Sequence, residues 1–308
     1  NMKRFFISIS ALLVALTLGA QQMPQLPIDP DIVTGKLDNG MTYYIRHNDK
    51  PAQRAEFYLS THVGAVQEAP DQDGLAHFLE HMCFNGTKNF PGKLLLDYLQ
   101  SIGASFGGNI NAATGLESTN YMLNNIPIVR EGIIDTCLLV MHDYSHFVTC
   151  DPKEIDAERG VIIEEKRVRN QVGWRNFMKE KEYIFKGSPL AKTSLIGSQT
   201  QLETFQPQSL VNFYRTWYRP DMQALIVVGD VDPKQIEQKI VSIFSDIPAA
   251  ENPKQKEPNV VPANEEPIVG IITDPETTGS SITVYWKTEA LPYEMRNTAV
   301  GFMSDVLE

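Results

Sequence analysis

The sequence predicts an α+β fold: a mixed, mostly antiparallel sheet flanked by helices, one complete domain followed by the truncated start of a second, similar domain. Three observations carry this. Strand-like and helix-like segments are interleaved without strict βαβ alternation. An Asn-Gly turn before TYYI is a hairpin signal, and two later strand candidates are joined by a turn at Gly115. A proline- and charge-rich stretch without apolar period, AAENPKQKEPNVVPANEEP, separates residues 33–249 from residues 266–308, with the linker at 250–265.

The elements follow in order. LDNGMTYYIRHN carries an Asn-Gly turn before TYYI, and RAEFYLSTHVGA alternates enough for a further strand. DQDGLAHFLEHMCF offers Asp71 and Asp73 as capping candidates ahead of an apolar-rich helix. PGKLLLDYLQSIG reads as a helix from near Pro91 to Gly103, and ASFGGNINAATGLESTNYMLNN as two strands turning at Gly115. IVREGIIDTCLLVMHDYSHF is helical by its period of three and four. DPKEIDAERGVIIEEKRVRNQ begins at an Asp151-Pro152 start signal and runs as a long charged helix. QPQSLVNFYRTWY is a helix, ALIVVGDVD a buried-type strand and DPKQIEQKIVSIFSDI a helix with proline in its first turn. Beyond the linker, PIVGIITD and SSITVYWKTE are expected to be strands, with a helix from about Tyr293. The chain is therefore expected to be a fragment of a longer protein.

Composition bounds the function. The 308 residues are 42% hydrophobic and 21% charged, enough for a packed core. A net charge of -11 argues against nucleic acid as a partner, because phosphate binding needs a basic surface; it permits basic peptides. Residues 1–20 read as a secretory signal: Lys3 and Arg4, then FFISISALLVALTLGA ending in Gly19 and Ala20. Export follows, to a periplasm in the first instance; an uncleaved anchor is the competing reading. Residues 21–32 are an extended lead-in. Three cysteines make no disulfide scaffold, although Cys137 and Cys150 would pair if the chain folded back between them.

The chemistry lies in HFLEH, residues 77–81. With about 3.6 residues per helical turn, His77 and His81 share one face and both can reach one ion. Glu80 lies beside the pair, placed to accept a proton from an attacking water, in the order H-x-x-E-H. Spacing alone is weak, since HDYSH places His142 and His146 four apart as well. A catalytic zinc needs a third protein ligand. ERGVIIEE offers Glu158 and Glu165, two turns apart on one helix face, with Glu164 pointing elsewhere; the plain alternative is a solvated acidic face. No such carboxylate stands out for the second histidine pair, which is assigned to a helix end near solvent, where a helix C-terminus favours histidine charge.

GLAHFLEHMCFNGTKNFP together with ERGVIIEE resembles the pitrilysin/insulinase family of zinc peptidases, the inverzincins. SFGGNINAATGLESTNY is similar to that family's substrate-facing strand, with its Asn-Ala pair and a later Thr, and WYRPDMQALIVVGDVD to the strand after the metal helices. LDNGMTYYIRHNDKP resembles the start of long, exported bacterial members. The resemblance implies that His77, His81 and Glu165 bind one zinc ion per chain, that Glu80 is the general base, and that Glu158 orients a ligand histidine. It implies that Asn111 and Ala112 lie on an edge strand that takes the substrate as an added strand; the plain alternative for Asn111 is a turn residue. It implies a zinc endopeptidase acting on peptides or unfolded polypeptides, whose C-terminal half, or a partner subunit, supplies an arginine and a tyrosine. This chain ends before those residues, so the fragment alone is expected to be weakly active or inactive. The rival readings are a non-catalytic zinc-binding partner subunit of a peptidase complex, a forward-type site at HDYSH, and a structural zinc site without turnover.

Overall fold

The Asn-Gly turn opens the fold. In a computed structural model, which describes residues 29–287, strand β1 (Ile32–Lys36) pairs antiparallel with β2 (Thr42–His47) around Gly40, whose φ of +99° suits glycine. Asn39 pins this turn to the far end of the domain: its amide donates to the carbonyls of Phe244 and Ile247, each at 2.9 Å. Strand β3 (Arg54–Thr61) is central, and β4 (Ile110–Thr114) and β5 (Thr119–Pro127) form a second hairpin around Gly115. Strand β6 (Gln223–Gly229) inserts between β2 and β3, giving the order β1-β2-β6-β3-β5-β4. Only the β2–β6 pair is parallel, so the sheet is mixed and mostly antiparallel.

Eight α-helices lie among the described residues: α1 (Leu75–Met82), α2 (Leu94–Ser101), α3 (Ile133–His146), α4 (Pro152–Arg169), α5 (Val172–Ile184), α6 (Gln199–Thr204), α7 (Pro207–Trp217) and α8 (Pro233–Phe244). Helix α3 packs on β3 and α8 on β2, while α1 lies among β4, α4 and α7. The core joins alternate residues of the strands (Phe57, Leu59, Leu123, Leu225, Val227) to apolar helix faces (Phe78, Leu79, Leu138, Met141, Phe213, Ile240), all fully buried. Each such side chain contributes about 1.5–3 kcal/mol by leaving water.

Several expectations are corrected. PIVGIITD and SSITVYW form no strand within the described residues: no neighbouring strand pairs with them, and Val269, Ile271, Ile282 and Trp286 stay exposed. High β-propensity makes a strand only where a ladder partner is present. The second helix begins at Leu94, not near Pro91. Cys83, Cys137 and Cys150 are all free and buried, so Cys137 and Cys150 do not pair. Helices α5 and α6 were not anticipated. The signal segment, residues 1–20, and the helix expected from Tyr293 lie outside the described residues. Among the described residues, no helix is long and apolar enough to cross a membrane.

Candidate metal centre

Helix α1 is buried nearly all round; among its residues only His81 is partly exposed. Its position is set at its first turn. Gly74 (φ +88°) and Gly197 (φ +88°) meet back to back, and a Cβ on Gly74 would lie 2.3 Å from the Ile196 carbonyl oxygen. The cap is not the one expected. Asp73 accepts instead from the Ser198 amide at 2.7 Å and Asp71 from the Ser209 hydroxyl at 3.1 Å. The free N–H groups are taken by Glu68, whose carboxylate reaches over to Gly74 N (3.0 Å) and Ala76 N (2.8 Å). With Asp73 and Asp71 committed to Ser198 and Ser209, the cap falls to a residue further back. Burial pushes the Glu68 carboxyl well above its ordinary value, with the two N–H bonds pulling the other way.

Helix α4 supplies the carboxylates. Asp151 caps it, accepting from Lys153 N at 2.8 Å, and Pro152 fills the first position. Its only buried residues are Ile155 and Ile162, two turns apart. Glu158 and Glu165 follow them three residues on in each case, so apolar and acidic residues alternate down the face turned to α1. Lys166 ties the same stretch to the α1 start by donating to the Gly197 carbonyl. Glu164 lies outside this face, exposed and paired with Arg167 at 2.6 Å.

Together the two helices bring His77, His81 and Glu165 to one point, with a ligand atom from each within 4.8 Å of the others. His77 Nε2 is 3.6 Å from Glu165 Oε1, and His81 Nε2 is 3.2 Å from Glu165 Oε2. Ligands about 2.1 Å from a tetrahedral zinc stand about 3.4 Å apart, so the donor set and its spacing fit that ion. Behind His81, Nδ1 is 2.8 Å from Glu158 Oε1, and Asn85 donates to Glu158 Oε2 at 2.7 Å. Arg169 holds Glu165 from outside at 2.6 Å. Burial lowers the His81 pKa, but its bonds to Glu158 and Glu165 outweigh that and raise it to about 9. Hydrogen bonds from His77 and His81 hold the Glu165 carboxyl far below the usual carboxylate range. Glu158 is also lowered: burial opposes its charge, and the bonds from His81 and Asn85 prevail.

Glu80 is buried on the side of α1 that faces the sheet edge, where Thr114 Oγ1 donates to its Oε2. Thr114 belongs to β4, the last strand in the sheet order. Asn111 and Ala112 lie on the same strand, Asn111 exposed and Ala112 partly buried; Asn111 Oδ1 accepts from the Ala112 amide at 2.9 Å. Asn111 is thus in the strand and not in the preceding turn.

The second histidine pair is different. His142 is buried, not near solvent: it stacks on Phe147 and lies between Asp246 (2.8 Å) and Asp143 (3.1 Å). Asp143 is in turn committed to Thr87 and Asn89. His146, at the helix end, is half-buried and does not converge with His142 on a further ligand among the described residues. The sequence could not show that Asp246, after α8, folds back over this helix end.

Four residues at the centre have no role that the sequence assigned. Arg169 is four residues after Glu165 on α4, so helical spacing could have shown it, whereas Asn85 lies past the end of α1 and meets Glu158 on α4. Thr114 and Glu68 carry no such signal, because their partners come from other elements.

Against this geometry stand the similarities. The insulinase family (Peptidase family M16) matches residues 43–191, and the Peptidase M16 inactive domain matches residues 204–308. The probable zinc protease PqqL of Escherichia coli is 33% identical over 280 residues, which is 90% of this chain and 29% of that protein. The first half of the periplasmic protease PqqL from Escherichia coli has a similar structure, with a TM-score of 0.72 at 33% identity over 78% of this chain and 51% of that one. The ferredoxin protease FusC, solved in complex with Arabidopsis ferredoxin, gives a TM-score of 0.69 at 26% identity over 74% of this chain and 25% of that one. The chain thus spans less than a third of the length of its curated relative PqqL. Two adjoining family matches and a shared fold lead to one conclusion: the chain belongs to the insulinase family of peptidases, Peptidase family M16.

Proposed function

We propose that this chain is the zinc-bearing part of an endopeptidase that hydrolyses peptides or unfolded polypeptides. One observation carries the reading: two imidazoles and a carboxylate converge from separate helices, with a further carboxylate, Glu80, beside them. PqqL, named a probable zinc protease, supports the metal and the reaction, and the FusC complex with ferredoxin supports a polypeptide substrate.

His77, His81 and Glu165 would hold the ion. When bound, zinc lowers the pKa of a water toward neutrality and polarises a carbonyl oxygen. Glu158 takes the Nδ1–H of His81, so the tautomer with Nε2 free is the one presented to the metal. Glu80 accepts a proton from the attacking water and later passes it to the leaving amine. The open edge of β4, the strand of Asn111 and Ala112, receives the substrate backbone as an added strand, which orients the scissile bond across α1.

The catalytic domain occupies residues 33–249, the linker 250–265, and residues 266–308 begin a second domain. A C-terminal half of the same protein or a partner subunit completes the site, so the chain alone has weak activity or none. Residues 1–20 direct export, to the periplasm, as the periplasmic location of PqqL supports.

Zinc stoichiometry measured beside hydrolysis of a fluorogenic peptide, on this chain and on the longer protein, tests the reading. One zinc per chain, with turnover in the longer protein, is expected. One zinc with no turnover in any form would leave only a zinc-binding partner.

A further inference from the structure

Thr114 does two things at once. Its side chain donates to Glu80 Oε2, and the buried Glu80 carboxylate has no other hydrogen-bond partner among the described residues. Its main chain lies on the open side of β4. Antiparallel residues alternate between hydrogen-bonded and non-hydrogen-bonded pairs. Asn124 N donates to Asn109 O at 2.7 Å and Gly115 N to Ser118 O at 2.8 Å, which fixes the alternation. Asn111 and Ala113 therefore bond inward to β5, while Ala112 and Thr114 turn their N–H and C=O groups to the outer edge. No described strand pairs with that edge. The Ala112 amide is covered by the Asn111 side chain, and among the described residues no side chain caps the Thr114 amide in the same way.

We propose that Thr114 is a positioning residue: its hydroxyl holds Glu80 in the orientation that receives the proton, while its backbone pairs with the incoming peptide. This rests on the peptidase reading and adds to it a physical link between substrate docking and the base. A glutamate side chain has several rotamers, and one oxygen fixed by Thr114 leaves the other for the attacking water. Since Thr114 is anchored in the strand that docks the substrate, base and scissile bond are held by one rigid element. The hydroxyl is required for this, and the γ-methyl is not.

Two variants and two readouts test it. Thr114→Val removes the hydroxyl and keeps the shape; Thr114→Ser keeps the hydroxyl. In the full-length zinc-loaded protein, Thr114→Val should lower kcat about tenfold or more, the effect of one buried charge-assisted hydrogen bond, with KM changed less than about twofold. Thr114→Ser should restore most of kcat, and both variants should keep wild-type zinc content and Tm. Crystal structures of the two variants supply the second readout, independent of turnover. Glu80 should leave its orientation in Thr114→Val and keep it in Thr114→Ser. Wild-type kcat in Thr114→Val, Thr114→Ser as impaired as Thr114→Val, or an unmoved Glu80 in Thr114→Val would each overturn the proposal. A zinc-loaded wild-type protein that cleaves nothing would instead count against the peptidase reading, and the Glu80 orientation would still decide the role of Thr114.

Discussion

Glu158 and Glu165 grip opposite sides of one imidazole: Glu158 Oε1 is 2.8 Å from His81 Nδ1, and Glu165 Oε2 is 3.2 Å from His81 Nε2. Seven residues apart on α4, one holds the Nδ1 side of the ring and the other faces the Nε2 side, toward the candidate metal position. Loss of Glu158 should therefore weaken the metal without removing it. Glu158→Ala is expected to lower zinc affinity about 10- to 100-fold, measured by competition with a chelator, because the His81 tautomer is no longer fixed. Unchanged affinity would mean the ring is oriented by something else.

The two neighbouring glutamates on α4 should behave oppositely. Glu165 faces both histidines, while Glu164 is exposed and paired with Arg167. Glu165→Ala is expected to lose stoichiometric zinc in equilibrium dialysis, and Glu164→Ala to retain it. Equal losses would move the ligand assignment.

Glu80→Gln keeps the side-chain volume and an acceptor for Thr114 but cannot take up a proton. The expected outcome is full zinc content with peptide hydrolysis in the longer protein reduced at least about 100-fold, the usual worth of general base catalysis. A variant close to wild-type in kcat would remove Glu80 from the role of base.

Glu68 holds the start of the metal helix, and its removal leaves two N–H groups without their acceptor in a buried site. Glu68→Ala should cost about 2–3 kcal/mol in urea unfolding, the sum of a lost cap and an unsatisfied buried donor. Asp73→Ala should cost clearly less, since it accepts a loop amide and not a helix N–H.

His142 makes stability depend on pH. Burial pulls its pKa down, but the bonds to Asp143 and Asp246 raise it above the usual value, so folding favours the protonated ring. That contribution is fully present below the unfolded value of about 6.5 and is lost as pH rises through the folded one. The stability gap between wild type and His142→Gln in urea is expected to narrow as pH rises from about 5.5 to about 9. A gap that widens over that range would contradict the ion-pair account.

How far the sequence reaches depends on whether a feature is local. The His77 and His81 spacing, the Asp151-Pro152 helix start and the Asn39-Gly40 turn are each written within a few residues, and each local structure is found. The Glu158 and Glu165 face was legible because helical periodicity carries seven residues. What was not legible comes from distant segments meeting. Glu68 displaces Asp71 and Asp73 at the cap, Asp246 returns over His142, and β6 slides in parallel beside β2. Thr114 belongs to the same class, since only the packing of β4 on α1 brings its hydroxyl to Glu80. At 267–287 the β-prone residues suggest two strands, and among the described residues neither forms, because local propensity does not supply a ladder partner.

Helices α1 and α4 are proposed to share one zinc ion. Anomalous X-ray diffraction at the zinc absorption edge, from crystals of the zinc-loaded protein, tests it most directly. One peak per chain is expected, about 2.1 Å from a ring nitrogen of His77, a ring nitrogen of His81 and an oxygen of Glu165. A peak held by His142 and His146, a fourth protein ligand closing the site, or no peak between the two helices would contradict it.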